Sequence, residues 1–220
     1  MNLEFEEHEK GKRYLCIPKR NPFNYANTDD KTLIVALSRT PYNESVPLHW
    51  KMLGSIYVHL LPDSPPPDRF GDHWETVGFQ GSDPATDLRG AGIFGLCQLL
   101  YAVSGGLDRE FLDRAMELAN RGENGFPLAV VGLNFTHLLL KRVKKGKMDK
   151  YARKKSSFVD FLNRVYARCF HEMLEIWTSE KCTLHDFGKI LAVVGKKIKK
   201  PKRFLRSSAN LPSTQQTTGL

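Results

Sequence analysis

One segment of the sequence repeats its apolar residues with the spacing of an α-helix. Between Phe158 and Trp177, apolar side chains recur at intervals of three and four residues, and polar side chains fill most of the remaining positions. Because an α-helix has about 3.6 residues per turn, this spacing places the apolar side chains on one face. The segment therefore predicts a long amphipathic helix that buries one face in a core.

Helical spacing recurs through most of the chain. Four further segments show it, each bounded by proline, glycine or a polar residue that caps helices. They are residues 53–61, 111–119, 126–143 and 184–191, the last with a predicted Thr183–Asp186 capping box. The run from Leu33 to Leu37 is too short for its spacing to separate a strand from a helix. The sequence predicts an all-α fold, a single domain of about six to eight packed helices.

Changes in composition divide the chain into three parts. Residues 1–30 contain several prolines, asparagines and aspartates, which predict an irregular lead-in. Residues 31–195 hold the helical pattern and predict the folded domain. Residues 196–220 are basic and then rich in Ser, Thr and Gln, a composition typical of a disordered tail.

The sequence predicts a cytoplasmic protein that is not secreted and has no transmembrane segment. Its first ten residues lack the apolar core of a signal peptide. The longest apolar run, from Phe126 to Leu140, is interrupted by polar residues and is too short to cross a bilayer. The four cysteines lie far apart without metal-ligand spacing, which is typical of free thiols in a reducing compartment. Peripheral attachment to membranes or to the cytoskeleton is a further expectation.

Positive charge is concentrated in two stretches of the sequence. The net charge is +9, and the stretches from Lys141 to Lys155 and from Lys196 to Arg206 together carry more than this, so the remainder is mildly acidic. Local basicity favours an anionic membrane surface or an acidic partner. A solvated loop and a solvated tail are the alternative. Nucleic acid is a weak interpretation, because Tyr151 and Phe204 are the only aromatic residues in the two stretches.

The segment from Trp74 to Leu96 combines aromatic residues, a turn with Gly and Pro, two aspartates and an arginine before an apolar run. Thr86 and Asp87 are residue types that cap helices. The sequence therefore predicts a helix that begins at one of them and continues to Val103, where a Ser-Gly-Gly sequence stops it.

Arg89 lies at the start of this predicted helix and has two interpretations. A fixed guanidinium beside glycine backbone can neutralise negative charge on a phosphate group. Spacing alone favours a structural role instead. In that role Trp74 and Phe79 anchor the core, Asp83 and Asp87 cap a helix, and Arg89 pairs with one of these two carboxylates.

Other motifs in the chain point to packing and not to catalysis. Gly90, Gly92 and Gly95 match the letters of a dinucleotide-binding loop, but no strand precedes them, so they indicate close helix packing. His137 lies in an apolar helix and predicts a satisfied core histidine. His171 and Glu172 lack the second histidine of a zinc-protease helix. No nucleophile motif is present, so we expect no substrate chemistry within this chain.

The run W-x-x-V-G-F-Q-x-x-D-P-x-T-D-L-R-G-x-G-x-x-G-L, from Trp74 to Leu96, resembles the signature of the ELMO-domain family. The resemblance covers residues 31–194 and includes the F-P-L-A-V-V-G-L-N block that begins at Phe126. The motif is most similar to the third paralogue of the ELMOD branch, although Leu88 replaces the commoner phenylalanine.

The resemblance implies an all-helical domain that accelerates GTP hydrolysis by Arf-family and Arf-like small GTPases. Arg89 matches the arginine that the family uses as its catalytic residue, a finger inserted into the partner's active site. Such a finger raises the rate by roughly 10³–10⁵. The partner GTPase would carry the GTP and Mg²⁺, so the resemblance implies no cofactor in this chain. The alternative is a non-catalytic ELMO-type adaptor that binds a small GTPase or an exchange-factor partner.

The resemblance also marks positions that support the arginine or contact the partner. We expect Asp83 and Asp87 to orient the guanidinium, and Gly90 and Gly92 to admit the partner's backbone. The full set of supporting positions is Trp74, Gly78, Phe79, Gln80, Asp83, Pro84, Thr86, Asp87, Gly90 and Gly92.

Overall fold

The computed structural model describes residues 25–152 and 157–207, and within these ranges it contains helices and no strand. Ten α-helices are present there, eight of them six residues or longer, which confirms the predicted all-α fold. The helices are α1 (Tyr25–Leu37), α2 (Pro47–Leu60), α3 (His73–Thr76), α4 (Gly92–Tyr101), α5 (Arg109–Ala119), α6 (Leu128–Lys144), α7 (Asp149–Ala152), α8 (Phe158–Ser179), α9 (Phe187–Lys197) and α10 (Pro201–Arg206).

Helices α4, α6 and α8 form the centre of the core. Helix α4 packs against α2 and α6, and α8 packs against α1, α6, α9 and α10. Phe135 of α6 meets Phe170 of α8 edge to face, with ring centroids 5.1 Å apart. Gly132 allows this approach, because a Cβ atom there would lie 2.6 Å from Leu99 Cδ2 and 3.0 Å from Phe170 Cζ. The predicted burial of the 126–143 segment is confirmed.

The predicted long helix is confirmed as α8, and a residue of α1 caps it. The first N–H groups of an α-helix have no partner within the helix. Asp30 Oδ2 accepts a hydrogen bond from the Phe158 N–H at 2.8 Å, and Ser157 Oγ accepts one from the Asp160 N–H at 3.3 Å. Residues 25–30, which we predicted to be irregular, are therefore helical and hold the start of α8. Residues 1–24 lie outside the described part of the chain.

The basic stretch near the C-terminus is folded at its beginning. Residues 196–206 were predicted to start a disordered tail, but most of them belong to α9 and α10. Buried apolar side chains explain the difference, since Ile198 and Phe204 pack in the core. The Thr183–Asp186 capping box is present, although α9 is not the last helix. Residues 208–220 lie outside the described residues.

The helix predicted from residue 86 to 103 consists of separate elements. A 3-10 helix, Pro84–Gly90, comes first, and α4 begins only at Gly92. The cap is Asp83 and not Thr86 or Asp87. Gly92 has a φ of +55°, a left-handed conformation that interrupts a continuous helix. The chain leaves α4 through a π-helical turn, Ala102–Gly106, at the Ser-Gly-Gly sequence.

Three further features of the described residues concern free thiols, metal-binding groups and membrane-spanning helices. Cys97, Cys169 and Cys182 are free thiols, as predicted, whereas Cys16 lies outside the described ranges. Within those ranges, no group of three or more His, Cys, Asp or Glu side chains is arranged to hold a metal ion. None of the helices found there is long and apolar enough to cross a membrane.

Candidate functional site

Trp74 anchors the segment that carries the predicted site. Its side chain is fully buried, and its ring meets Phe79 edge to face with centroids 5.8 Å apart. The indole Nε1 lies 3.2 Å from each of the backbone carbonyl oxygens of Asp68 and Arg69. These contacts confirm the predicted role of Trp74 and Phe79 as core anchors. They also fix the connector that precedes the site.

The next turn caps α6. The Val77 carbonyl accepts a hydrogen bond from the Ala129 N–H at 3.2 Å, and the Gly78 carbonyl accepts one from the Val130 N–H at 3.0 Å. Gly78 has a φ of +86°, and a Cβ atom there would overlap the Leu128 backbone nitrogen. Only glycine combines this conformation with so close an approach. The turn that leads to Gln80 is thereby fixed to a core helix.

Asp83 starts the 3-10 helix and is neutralised by an arginine that the motif does not contain. Asp83 Oδ1 accepts a hydrogen bond from the Ala85 N–H at 2.9 Å and lies 2.9 Å from Arg69 Nη1. The other terminal nitrogen of Arg69 lies 3.0 Å from Glu44 Oε1. Thr86 Oγ1 donates to the Asp83 carbonyl at 2.8 Å. The charge of Asp83 is therefore neutralised by a residue of this chain.

Pro84 and Asp87 complete the turn before the arginine. Pro84 is buried at the first position of the 3-10 helix, where a missing N–H costs nothing. Asp87 Oδ2 accepts a hydrogen bond from the Gln80 N–H at 2.7 Å. Burial raises the pKa of the Asp87 carboxyl, the Gln80 N–H lowers it, and the nearby Asp83 charge raises it again. The side chain of Gln80 points to solvent and is exposed.

Arg89 is left without a partner. Its side chain is exposed, and no side-chain hydrogen bond or ion pair involves it within residues 25–152 and 157–207. The structural interpretation from spacing, a pair with Asp83 or Asp87, is therefore wrong. The expectation that these carboxylates orient the guanidinium is also wrong, because Arg69 and the Gln80 N–H occupy them.

Gly90 and Gly92 accommodate groups of this chain. A Cβ atom at Gly90 would collide with His137 Nε2, and one at Gly92 would lie 2.6 Å from the Thr40 carbonyl oxygen. These contacts give both glycines a role in packing within this chain, and the expectation that they admit a partner's backbone stays a prediction. Gly95 fits the same pattern, since its Cβ atom would lie 2.8 Å from Leu133 Cδ2.

His137 is not the buried core histidine that its apolar helix predicted. The residue is exposed at the surface of α6 and contacts the end of the 3-10 helix at Gly90. Partial burial of the imidazole lowers its pKa. The hydrogen bond with the Gly90 backbone raises this pKa, and the positive charge of Lys144 lowers it. Helix period places His137 on the surface, because neighbouring Thr136 and Leu139 already face the core.

The two basic stretches meet in space at Tyr151. Lys150 Nζ lies 5.1 Å and Lys202 Nζ lies 5.9 Å from the centroid of its ring. The ring also stacks on Phe161 with centroids 4.8 Å apart. We call the exposed lysines and arginines of residues 141–150 and 196–206 the basic surface. Tyr151 and Phe204 are buried, so neither can offer a free face to a nucleic-acid base.

The fold and the motif define a helical domain with an arginine presented on a fixed turn, and sequence comparison identifies its class. Residues 32–191 match the model of the ELMO/CED-12 family. The chain belongs to this family.

Three relatives illustrate the breadth of the match. Human ELMO domain-containing protein 3 is 30% identical over 185 residues, which cover 81% of this chain and 47% of that protein. The protein of the same name from Mus musculus is 28% identical over 81% of this chain and 47% of its own length. ELMO domain-containing protein B of Dictyostelium discoideum is 31% identical over 69% of this chain and 52% of its own length.

The predicted family is thus confirmed, with its third paralogue among the relatives. The chain spans about half the length of the curated relatives it matches. No solved structure gives a significant match to the chain.

Proposed function

We propose that this chain is a GTPase-activating protein for Arf-family and Arf-like small GTPases, with Arg89 as the arginine finger. Membership of the ELMO/CED-12 family supports a small GTPase as the partner. The finer assignment to Arf-type GTPases is carried over from the resemblance of the Trp74–Leu96 motif. GTP and Mg²⁺ belong to the partner in this proposal, and the chain contributes one side chain to its active site.

The observation that carries the proposal is the free guanidinium of Arg89 on a turn whose two carboxylates, Asp83 and Asp87, are engaged by other groups of this chain. A finger acts in trans, so before docking it has no partner of its own and its backbone must already be fixed. Asp83 and Asp87 hold the backbone of the turn without binding the guanidinium. Arginine suits the task, because its planar fork can donate two hydrogen bonds to phosphate oxygens as charge develops there.

We further propose that the basic surface holds the chain on anionic membranes. Each Lys or Arg close to an anionic leaflet contributes about 1 kcal/mol of attraction. Two stretches separated in sequence act together here, because Lys150 and Lys202 lie over the same tyrosine ring. Nucleic acid is a poor alternative, since the two aromatic residues within these stretches are buried.

Single-turnover GTP hydrolysis by a panel of Arf and Arf-like GTPases tests the proposed activity. We expect the wild-type chain to accelerate hydrolysis by one or more members. Arg89→Lys keeps the charge but loses the planar fork, so it should lose most of the acceleration, roughly a hundredfold or more. The variant should bind the GTPase almost as tightly as the wild type.

Arg114→Lys is the matched control, because Arg114 is exposed on α5 and lies outside the Trp74–Leu96 motif in the sequence. It should accelerate hydrolysis as the wild type does. Equal acceleration by the Arg89→Lys variant would eliminate the finger. Binding without acceleration by the wild type would instead identify a non-catalytic adaptor.

A further inference from the structure

A groove lies beside Arg89, between the turn after α1 and the 3-10 helix that carries the motif. Its volume is about 450 Å³, and Arg39, Thr40 and Tyr42 line one wall while Thr86 and Arg89 line the other. Residues 38–42 lie outside the Trp74–Leu96 motif, so the motif accounts for only one wall. The groove is open to solvent and large enough for several side chains.

The groove has an excess of positive charge. Arg39, like Arg89, is exposed and has neither an ion pair nor a side-chain hydrogen bond in the described part of the chain. Asp83 is the carboxylate among the residues that line the groove, and Arg69 neutralises it at 2.9 Å. Two unpaired guanidiniums from segments fifty residues apart in sequence therefore share one cleft, an arrangement suited to an anionic ligand.

Backbone hydrogen bonds fix the two walls relative to each other. The Thr40 carbonyl accepts a hydrogen bond from the Ile93 N–H at 2.9 Å, which joins the turn after α1 to the start of α4. Thr40 Oγ1 donates to the Ala36 carbonyl at 3.1 Å. Gly92 brings the walls close, since its own Cβ position is filled by the Thr40 and Leu37 carbonyl oxygens. The groove is therefore present before any partner binds.

The lining disfavours a free nucleotide as the ligand. Tyr42 contributes the aromatic ring of the groove, and the Arg69 guanidinium lies over it at 4.8 Å from the centroid. That face is consequently covered and cannot stack on a base. The volume also exceeds what one phosphate group fills. A peptide segment that carries carboxylates matches both the size and the charge.

We propose that this groove receives an acidic loop of the partner GTPase, and that Arg39 is the residue that binds it. The inference rests on the proposed function and deepens it by separating two roles. Arg89 extends to the nucleotide and acts on the rate, whereas Arg39 forms a charge-assisted hydrogen bond with a carboxylate and acts on affinity.

The test measures affinity and rate separately. Binding of the full chain to each GTPase of the panel, loaded with a non-hydrolysable GTP analogue, is measured by biolayer interferometry, and single-turnover hydrolysis is measured at saturating chain concentration. Arg39→Ala should weaken binding by roughly tenfold to a hundredfold, the range of a charge-assisted hydrogen bond. The hydrolysis rate at saturation should stay within about twofold of wild type, since Arg39 does not contact the phosphates. Arg114→Ala removes the same charge from α5 and should change neither quantity.

Two results with Arg39→Ala would overturn the inference. The first is wild-type affinity with a wild-type rate, which would show that Arg39 does not bind the partner, and the second is wild-type affinity with a reduced rate at saturation, which would place Arg39 at the phosphates. Failure of the proposed function has a different signature, in which the wild-type chain binds a GTPase but does not accelerate hydrolysis. Loss of binding in Arg39→Ala would still support the groove in that case. A wild-type chain that binds no member of the panel would overturn both.

Discussion

The Asp87 carboxylate accepts a hydrogen bond from the backbone N–H of Gln80, seven positions earlier in the chain, at 2.7 Å. The bond crosses from the turn that caps α6 to the 3-10 helix that presents Arg89. The backbone of the arginine is thereby positioned through a carboxylate that never touches the guanidinium. This arrangement leaves the side chain of Arg89 free for a partner.

Asp87→Asn tests the balance between burial and hydrogen bonding at this carboxyl. Because burial raises the folded-state pKa of Asp87, ionisation is harder in the folded state than in the unfolded state. The resulting loss of stability begins as pH rises through the ordinary aspartate pKa, about 3.9, and is complete above the folded-state value. Asparagine keeps an acceptor for Gln80 and does not ionise. The melting temperature of the Asp87→Asn variant minus that of the wild type should therefore increase as the pH is raised from 3.5 to 7. A decrease of this difference over the same range would contradict a raised pKa of Asp87.

Gly78 and Gly81 make a matched pair, since both have positive φ values, +86° and +67°. A methyl group at Gly78 overlaps the backbone of Leu128, whereas nothing lies within 4 Å of the Cβ position at Gly81. We expect Gly78→Ala to lower the free energy of unfolding by about 3 kcal/mol or more, and Gly81→Ala by about 1 kcal/mol. Urea denaturation followed by circular dichroism measures both, and similar losses would show that the Leu128 contact does not matter.

Gly90→Ala and His137→Ala form a double-mutant cycle. Gly90 has an ordinary backbone conformation, so alanine there is unfavourable only because it collides with the His137 ring. We expect Gly90→Ala to lower the free energy of unfolding by about 1 kcal/mol and to reduce the stimulated rate of GTP hydrolysis, since the displaced turn carries Arg89. In the double variant, which lacks the His137 ring, most of the lost free energy of unfolding and most of the lost hydrolysis rate should be restored. Additive effects of the two substitutions would rule out the contact.

Periodicity predicted the helices well, because apolar spacing reports a buried face directly. Helix α8 is the clearest case, with the residues that the spacing selected buried along its length. The ends of elements were harder to predict. Asp83 and not Thr86 caps the 3-10 helix, and α10 is held by the buried residues Pro201 and Phe204 in a sequence that is otherwise mostly basic. Packing against the core decided the second, which neighbouring residues do not signal, whereas Asp83 followed by Pro84 is itself a local capping signal.

The sequence likewise predicted one part of the candidate site and missed another part. The resemblance selected Arg89, but its environment depends on residues that no motif marks. Arg69 pairs with Asp83 across fourteen positions, and His137 reaches Gly90 from another helix. Arg39 lines the groove from the turn after α1. These residues come together only through the tertiary structure, so spacing alone assigned the carboxylates to the wrong arginine.

Glu172 is predicted to be essential for stability, because it compensates a buried arginine. Its side chain is 4% exposed and that of Arg168 is 3% exposed; Arg168 Nη2 lies 3.3 Å from Glu172 Oε2, and Lys197 also pairs with Glu172. Glu172→Gln should cost about 3 kcal/mol or more, since it removes the buried partner of Arg168 and leaves the exposed Glu175, 3.6 Å from Arg168 Nη2, to compensate the charge. Glu117→Gln breaks an exposed pair with Arg121 and should cost less than about 1 kcal/mol. Chemical denaturation compares the two variants, and equal losses would contradict the difference.

Charge reversal on the basic surface should release the chain from anionic membranes. The double variant Lys150→Glu with Lys202→Glu changes the charge at the place where the two basic stretches meet. At about 1 kcal/mol per basic residue near an anionic leaflet, it should weaken binding to vesicles of phosphatidylcholine and phosphatidylserine more than tenfold. Lys51→Glu with Lys181→Glu makes the same change in net charge at two exposed positions outside the basic surface. Sedimentation with vesicles measures binding, and equal losses in the two double variants would attribute it to net charge alone.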